Sequence, residues 1–358
     1  MIMKKIKYTF AIVTLFGCIV LFFDGFGDFA LYARHKVAQF NKDSVFLDHL
    51  PDNTDRAIYE RNFSDSQKLT FYNAPFLDRI IEPGEYGIYK IDDYGHRVFP
   101  ADTSISQVQQ KTMLLLGSSQ SFGYHIEAKD ALSTQMQGLL PDYKIDNYSM
   151  LGVSLEGNLV DWQRMVEIEK KHYDLVIVVN GFFDHYVECT KNIEYKYFER
   201  MMDKYRLPAI FSIFQSLTDK IFKENVLDRG MLCEQPEYQA IAARRADDRW
   251  NQLLAFGKEQ GSKTLIFIPP SVWSDNANVE NLQPLLNEKH RAIYSAINNR
   301  IYSQIDNSAI INLTHAFDDG RQYFLDGSSH FTPEGSALLA REIAKHIQDL
   351  DNKALEGN

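Results

Sequence analysis

The order of apolar and polar positions changes character near residue 112. Beyond it, short continuous apolar runs alternate with longer segments whose apolar residues recur at helical spacing. The runs at Thr112–Leu116, Tyr143–Tyr148, Asp174–Val179, Thr264–Ile268 and Ala309–Asn312 predict strands. The segments Lys129–Leu140, Glu156–Lys171, Gln235–Gln260, Leu285–Ile305 and Pro333–Asp349 predict helices. Strands separated by helices of this length imply an α/β fold, a doubly wound parallel sheet with helices on both faces. Ligands in such folds bind beyond the carboxyl ends of the strands.

Two stretches break the alternation. Residues 32–110 carry Pro51, Pro75, Pro83 and Pro100 and no long periodic segment. They read as a stalk plus a small accessory layer packed on the main domain, with the turn Asp93-Tyr94-Gly95-His96-Arg97 leading into its last element. Residues 183–234 hold Tyr186, Tyr195, Tyr197, Phe198 and Tyr205, and Ile210, Ile213, Phe214, Leu217 and Ile221 fall on one helical face. An insertion at a strand's carboxyl end lies over the ligand edge, so this one reads as a cap; packing unrelated to substrate is the alternative. The expected organisation is an N-terminal segment at 1–31, the accessory segment at 32–110, the α/β domain at 111–350 with its insertion, and a tail at 351–358.

The first residues add a topology. Tyr8 to Phe23 carry no charge; Lys4, Lys5 and Lys7 precede them and Asp24 and Asp28 follow. Positive charge on the N-terminal side places that end in the cytoplasm and the rest outside it. An uncleaved anchor is favoured because no small-x-small cleavage site is evident. A cleaved signal peptide and a lipoprotein signal ending at Cys18 are the alternatives. Cys189 and Cys233 are the two remaining cysteines, and an exported compartment permits a disulfide between them.

Composition narrows the function classes. A net charge of −10 argues against nucleic acid, which needs basic stripes. No Cys-x-x-Cys, no His-Glu-x-x-His and no dense His/Asp cluster occurs in the sequence, so neither a metal nor another cofactor is expected. The 24 Phe and 19 Tyr are mostly ordinary core, with surface to spare for a sugar-like ligand. The sequence is silent on oligomeric state.

The chemistry-bearing residues fall in the turns after the strands. Met113-Leu114-Leu115-Leu116 runs into Gly117-Ser118-Ser119-Gln120-Ser121-Phe122-Gly123, a buried strand ending in a tight turn that opens a helix. Asn147 to Gly152 follows the second strand and Asn180-Gly181-Phe182-Phe183-Asp184 the third. Phe324 to Gly335 precedes the last helix, with Thr332 suited to the N-cap and Pro333 to the first helical position. His330 is thereby set on a loop at the same edge, with Asp326 in reach. A serine, a loop glycine and an Asp/His pair at one edge are the parts of a serine hydrolase.

These blocks, spanning roughly residues 110–350, resemble those of the SGNH, or GDSL-type, esterase and lipase family. The resemblance puts Ser119 in the nucleophile position, with Ser118 where an Asp is usual. It makes Ser119 and Gly152 oxyanion donors and Asp326 and His330 the partners of the serine. Two departures stand out. Phe183 occupies the position of the third oxyanion donor, normally Asn, leaving Asn180 as a nearby substitute. Three residues, not two, separate Asp326 from His330. The Asp-Tyr-Gly-His-Arg turn and the N-terminal segment resemble bacterial envelope members, several of which act on acyl groups of polysaccharides. The resemblance therefore implies a serine esterase or O-acyl transferase on an acylated carbohydrate or other acyl ester, anchored in a membrane with its domain periplasmic or extracellular. Phe183 keeps open a rival, a non-catalytic module that binds an acylated glycan or an envelope partner protein.

Overall fold

A computed structural model describes residues 46–52, 54–74, 78–99, 111–180, 189, 232–286, 288–302 and 307–356. The N-terminal apolar segment and most of the 183–234 insertion, Phe183 included, lie outside the described residues. Apart from Leu232, those that are described fall in one compact unit, Phe46–Cys189 with Cys233–Asn358. Among them, no helix is long and apolar enough to cross a membrane.

The accessory part comes first. Helix α1 spans Arg56–Ser66, and hairpins β1 (Phe71–Ala74) with β2 (Asp78–Ile81) and β3 (Gly84–Tyr86) with β4 (Tyr89–Ile91) follow. Helix α1 was hidden in the sequence because its buried face mixes Tyr59 and Phe63 with Asn62, Asp65 and Ser66. Its start is set by Asp55, whose carboxylate accepts from the N–H groups of Ala57 and Ile58.

The main sheet is parallel throughout. Its strands are β5 (Lys111–Gly117), β6 (Tyr143–Asn147), β7 (Leu175–Val179), β8 (Lys263–Ile268) and β9 (Ile310–Asn312), in the spatial order β6-β5-β7-β8-β9. Every residue of β7 is buried, as is Met113–Gly117 of β5. That is the pattern of strands covered on both faces, and it is why these segments read as unbroken apolar runs. Helices are α2 (Ser119–Phe122), α3 (Leu132–Leu139), α4 (Leu155–Glu167), α5 (Pro236–Glu259), α6 (Glu288–Tyr302) and α7 (Pro333–Glu356). Helix α3 packs with α7, while α5 packs with both α4 and α6, so the helices form two layers. The chain is a doubly wound α/β fold.

Boundaries moved where local chemistry intervened. The helix expected from Lys129 starts at Leu132, because 128–130 forms a separate 3-10 turn. The helix expected from Leu285 starts at Glu288, because Pro284 lies in a preceding 3-10 turn at Glu280–Leu285. The last helix runs on past Asp349 to Glu356. Cys189 and Cys233 form a disulfide, with S–S 1.98 Å and Cα–Cα 5.0 Å.

Candidate active site

The strand order reverses between β5 and β7, and the crevice of a doubly wound sheet opens at such a switch point. The turn after β5 is unusually tight. A Cβ on Gly117 would collide with Ser121 Oγ and the Val179 carbonyl oxygen, so only glycine lets the β5–α2 turn lie this close to β7. Ser118 is buried at the N-cap of α2, whereas Ser119, the first residue of the helix, is half-buried. Of the two serines, Ser119 is the more accessible.

The turns beyond β5, β6 and β7 are sewn together by amides. Met150 N–H and Asn158 Nδ2 donate to the Gly117 carbonyl at 3.2 and 3.3 Å. Asn180 Nδ2 donates to the Val153 carbonyl at 3.1 Å and to Asn158 Oδ1 at 2.9 Å. Both protons of that amide are thus engaged in holding the β6–α4 turn. Asn147 is engaged as well: Nδ2 donates to the Ser121 carbonyl and Ser133 Oγ, and Oδ1 accepts from Ser149 N–H. Gly152 sits at φ 68°, in the left-handed region where glycine is at home.

The loop before α7 builds the acid–imidazole pair. Thr332 Oγ1 accepts from Gly335 N–H and caps α7. Asp326 Oδ1 accepts from Ser328 N–H at 2.9 Å and from His330 N–H at 3.4 Å. Asp326 Oδ2 meets His330 Nδ1 at 2.6 Å. The extra residue between Asp326 and His330 is absorbed by backbone conformation: Ser329 takes φ 67°, an uncommon state for a residue with a side chain. Burial, the largest single influence, disfavours a charged Asp326, and the His330 imidazole is the main group opposing it. With help from His125 and Ser328 N–H, it holds the carboxyl at about 2.

Gln120 ties this loop to the β5–α2 turn. Its buried Nε2 donates to the Ser329 carbonyl at 3.0 Å and to the Pro270 carbonyl at 3.1 Å. The residue after Ser119 is therefore bonded to the residue before His330. Ser329 Oγ in turn accepts from Val272 N–H at 3.0 Å. The Tyr124 ring packs edge-on to His330, 4.9 Å between centroids.

The accessory segment supports α2 from behind. Arg97 is buried, and its guanidinium donates to the carbonyls of Phe122, Gly123, Ile88 and Ile126 at 2.7–3.1 Å. The carbonyls at the end of this short helix have no helical partner, and the guanidinium satisfies them. Burial pushes Arg97 down to about 10, still protonated at neutral pH. Its cation lies 4.5 Å from the Tyr89 ring centre.

The roles of Gln120, His125, Asn158 and Ser329 carried no signal in the sequence: Gln120 and Ser329 lie inside the turns that the sequence singles out, but the polar partners of all four side chains are more than 20 residues away in the chain. The sequence holds no dense His/Asp cluster, yet folding assembles one. His125, Asp326 and His330 bring donor atoms within 4.8 Å of one another. These are residue types that bind transition metals, but at 2.6 Å the Asp326–His330 contact is a proton-bearing hydrogen bond.

No protein-family model matches the sequence, and no curated protein matches it. Among solved structures, the chain is similar to a catalytic mutant of an acetylxylan esterase from Geobacillus stearothermophilus, with 12% identity and a TM-score of 0.39 over 68% of this chain and 96% of that one. It is similar to a lipase/acylhydrolase from Enterococcus faecalis, with 17% identity and a TM-score of 0.35 over 67% and 96%. A member of the lipolytic G-D-S-L family from Veillonella parvula gives 13% identity and a TM-score of 0.36 over 65% and 96%. Likeness at this level does not transfer an activity, because one fold hosts many.

Proposed function

We propose that the protein is a serine esterase or O-acyl transferase with Ser119 as nucleophile, acting on an acylated envelope glycan or a related acyl ester. One observation carries the reading. The Asp326–His330 pair is built on a loop that Gln120 bonds to the nucleophile turn at the carboxyl edge of the sheet. In this reading His330 Nε2 takes the Ser119 proton as Oγ attacks the acyl carbonyl. The Ser119 and Gly152 N–H groups receive the oxyanion, and the proton passes to the leaving alkoxide as the acyl-enzyme forms. Water or a sugar hydroxyl then takes the acyl group by the reverse proton path. Asp326, anionic at neutral pH, keeps the Nδ1 proton on its own side and so leaves Nε2 basic.

The N-terminal lysines and apolar run support an anchor with the domain in the periplasm or outside the cell, and the Cys189–Cys233 disulfide supports an oxidising compartment. The rival, a non-catalytic module binding an acylated glycan or a partner protein, is favoured by the engaged amide of Asn180 together with Phe183 in the sequence. Short-chain acyl ester turnover by the full-length chain, with labelling by a serine-reactive phosphonate, separates the two. Turnover and label at Ser119 are expected; an unlabelled chain with no turnover selects the binding module.

A further inference from the structure

His125 takes no step in the mechanism above, yet it is held against the site in an unfavourable conformation. Its φ is 69°, and such strain persists only where the surroundings over-determine it. The surroundings do so here. His125 N–H donates to Tyr89 Oη at 2.8 Å, and its carbonyl accepts from Asn62 Nδ2 at 3.1 Å. The ring lies 4.9 Å from Phe46, 5.3 Å from Phe63 and 3.9 Å from Tyr124, centre to centre. These contacts aim Nε2 at Asp326 Oδ2, 3.7 Å away. That is the same oxygen that meets His330 Nδ1. Oδ1 accepts from backbone N–H groups, and Oδ2 faces two imidazoles, hydrogen-bonded to His330 and 3.7 Å from His125.

We propose that His125 is a positioning residue, a second imidazole that fixes the Asp326 carboxylate against His330. The proposal rests on the serine-esterase reading. The edge of His125 closes the side of Oδ2 that His330 leaves open, keeps water from that side, and opposes rotation of the carboxylate away from Nδ1. A purely space-filling role would not require an imidazole nitrogen facing the acid, nor a strained backbone to put it there.

The test uses the full-length chain with His125→Gly, which relieves the backbone, and His125→Gln, which keeps a donor. For His125→Gly, kcat should fall about tenfold, the order at which losing a supporting partner acts, while KM stays within about twofold. His125→Gln should recover part of the loss. The low-field proton signal of His330 Nδ1–H, identified by its loss in Asp326→Asn, should move in His125→Gly and return toward its place in His125→Gln. With His125 itself intact, Asp326→Asn should shift the ring 15N signals of both histidines. Unchanged kcat and unchanged proton signal in His125→Gly overturn the proposal, as does a 15N shift confined to His330. Absence of turnover in the wild-type chain overturns the esterase reading instead, and the two magnetic-resonance measurements still decide the role of His125.

Discussion

Among the described residues, two hydrogen-bonded histidine–aspartate pairs have a buried histidine, and they are built differently. His330 meets Asp326 at 2.6 Å, with side chains 10% and 18% exposed. His96 meets Asp161 at 3.1 Å, with side chains 2% and 0% exposed. In the second pair Arg164 also donates to Asp161, at 2.7 Å, and the His96 ring stands edge-on to Tyr148. Burial disfavours the Asp161 charge, and the His96 hydrogen bond with the Arg164 guanidinium reverses that, lowering its pKa. The carboxyl is depressed at both places, so depression does not single out the pair proposed as catalytic. The third partner does. A guanidinium closes Asp161 into a sealed ionic cluster that pins the 93–97 turn to α4. Among the described residues, the partners of Asp326 are N–H groups and imidazoles, and its loop is bonded to the Ser119 turn.

That contrast can be broken most directly at the nucleophile. Ser119→Ala should lower ester turnover by about 10⁴-fold or more and abolish phosphonate labelling. Its melting temperature should stay near wild type, since no core contact is lost. A variant that keeps full turnover would remove the functional half of the contrast.

Asp326→Asn comes next. It should lower kcat by about 10³–10⁴-fold, because an amide favours the wrong imidazole tautomer. Steady-state kinetics on the folded variant checks this. The same change in the other pair should act on stability alone. Asp161→Asn leaves His96 and Arg164 facing an uncharged group in a dry site, and should cost about 3–5 kcal/mol in urea unfolding. Turnover per folded molecule should change little. If Asp161→Asn instead spared stability and lost activity, the two pairs would have been assigned the wrong way round.

The smallest effect is in acid. The folded-state carboxyl of Asp326 is held at about 2, below the unfolded value of about 3.9. A depressed carboxyl stabilises the fold above its unfolded pKa and loses that contribution as pH falls through the folded one. Stability should drop by about 2 kcal/mol between roughly pH 4 and pH 2 for this group. Urea midpoints across that range should converge between the wild-type chain and Asp326→Asn. A gap that stays constant would mean the carboxylate is not held as described.

The sequence was most legible where one physical rule acts alone. Leu175–Val179 had to be a buried strand, since five apolar residues in a row suit a sheet covered on both faces. Thr332-Pro333 marked the start of α7 by local capping chemistry, and the Thr332 hydroxyl is where that chemistry puts it. Helix α1 was illegible because three of its five buried residues, Asn62, Asp65 and Ser66, are polar and find partners only in the fold. Asn180 illustrates the other kind of gap. Its place beside the site could be read from the strand it follows, but whether its amide is free or engaged depends on Asn158, 22 residues away.

What the sequence determined by itself is therefore the local and the periodic: the α/β alternation, the strand ends, the helix caps, and a serine, an aspartate and a histidine on turns at one edge of a sheet. Periodicity and capping act over a few residues, so they leave their mark in the order of the chain. Only the tertiary structure decided which polar groups meet. It placed Gln120 between the nucleophile turn and the Ser329 carbonyl, Arg97 beneath the carbonyls of α2, Arg164 on Asp161, and the ring of His125 beside Asp326. Hydrogen bonds and ion pairs between residues far apart in the chain carry no periodic signature, and burial is what gives them consequence, because a buried polar group must find its partner in the fold.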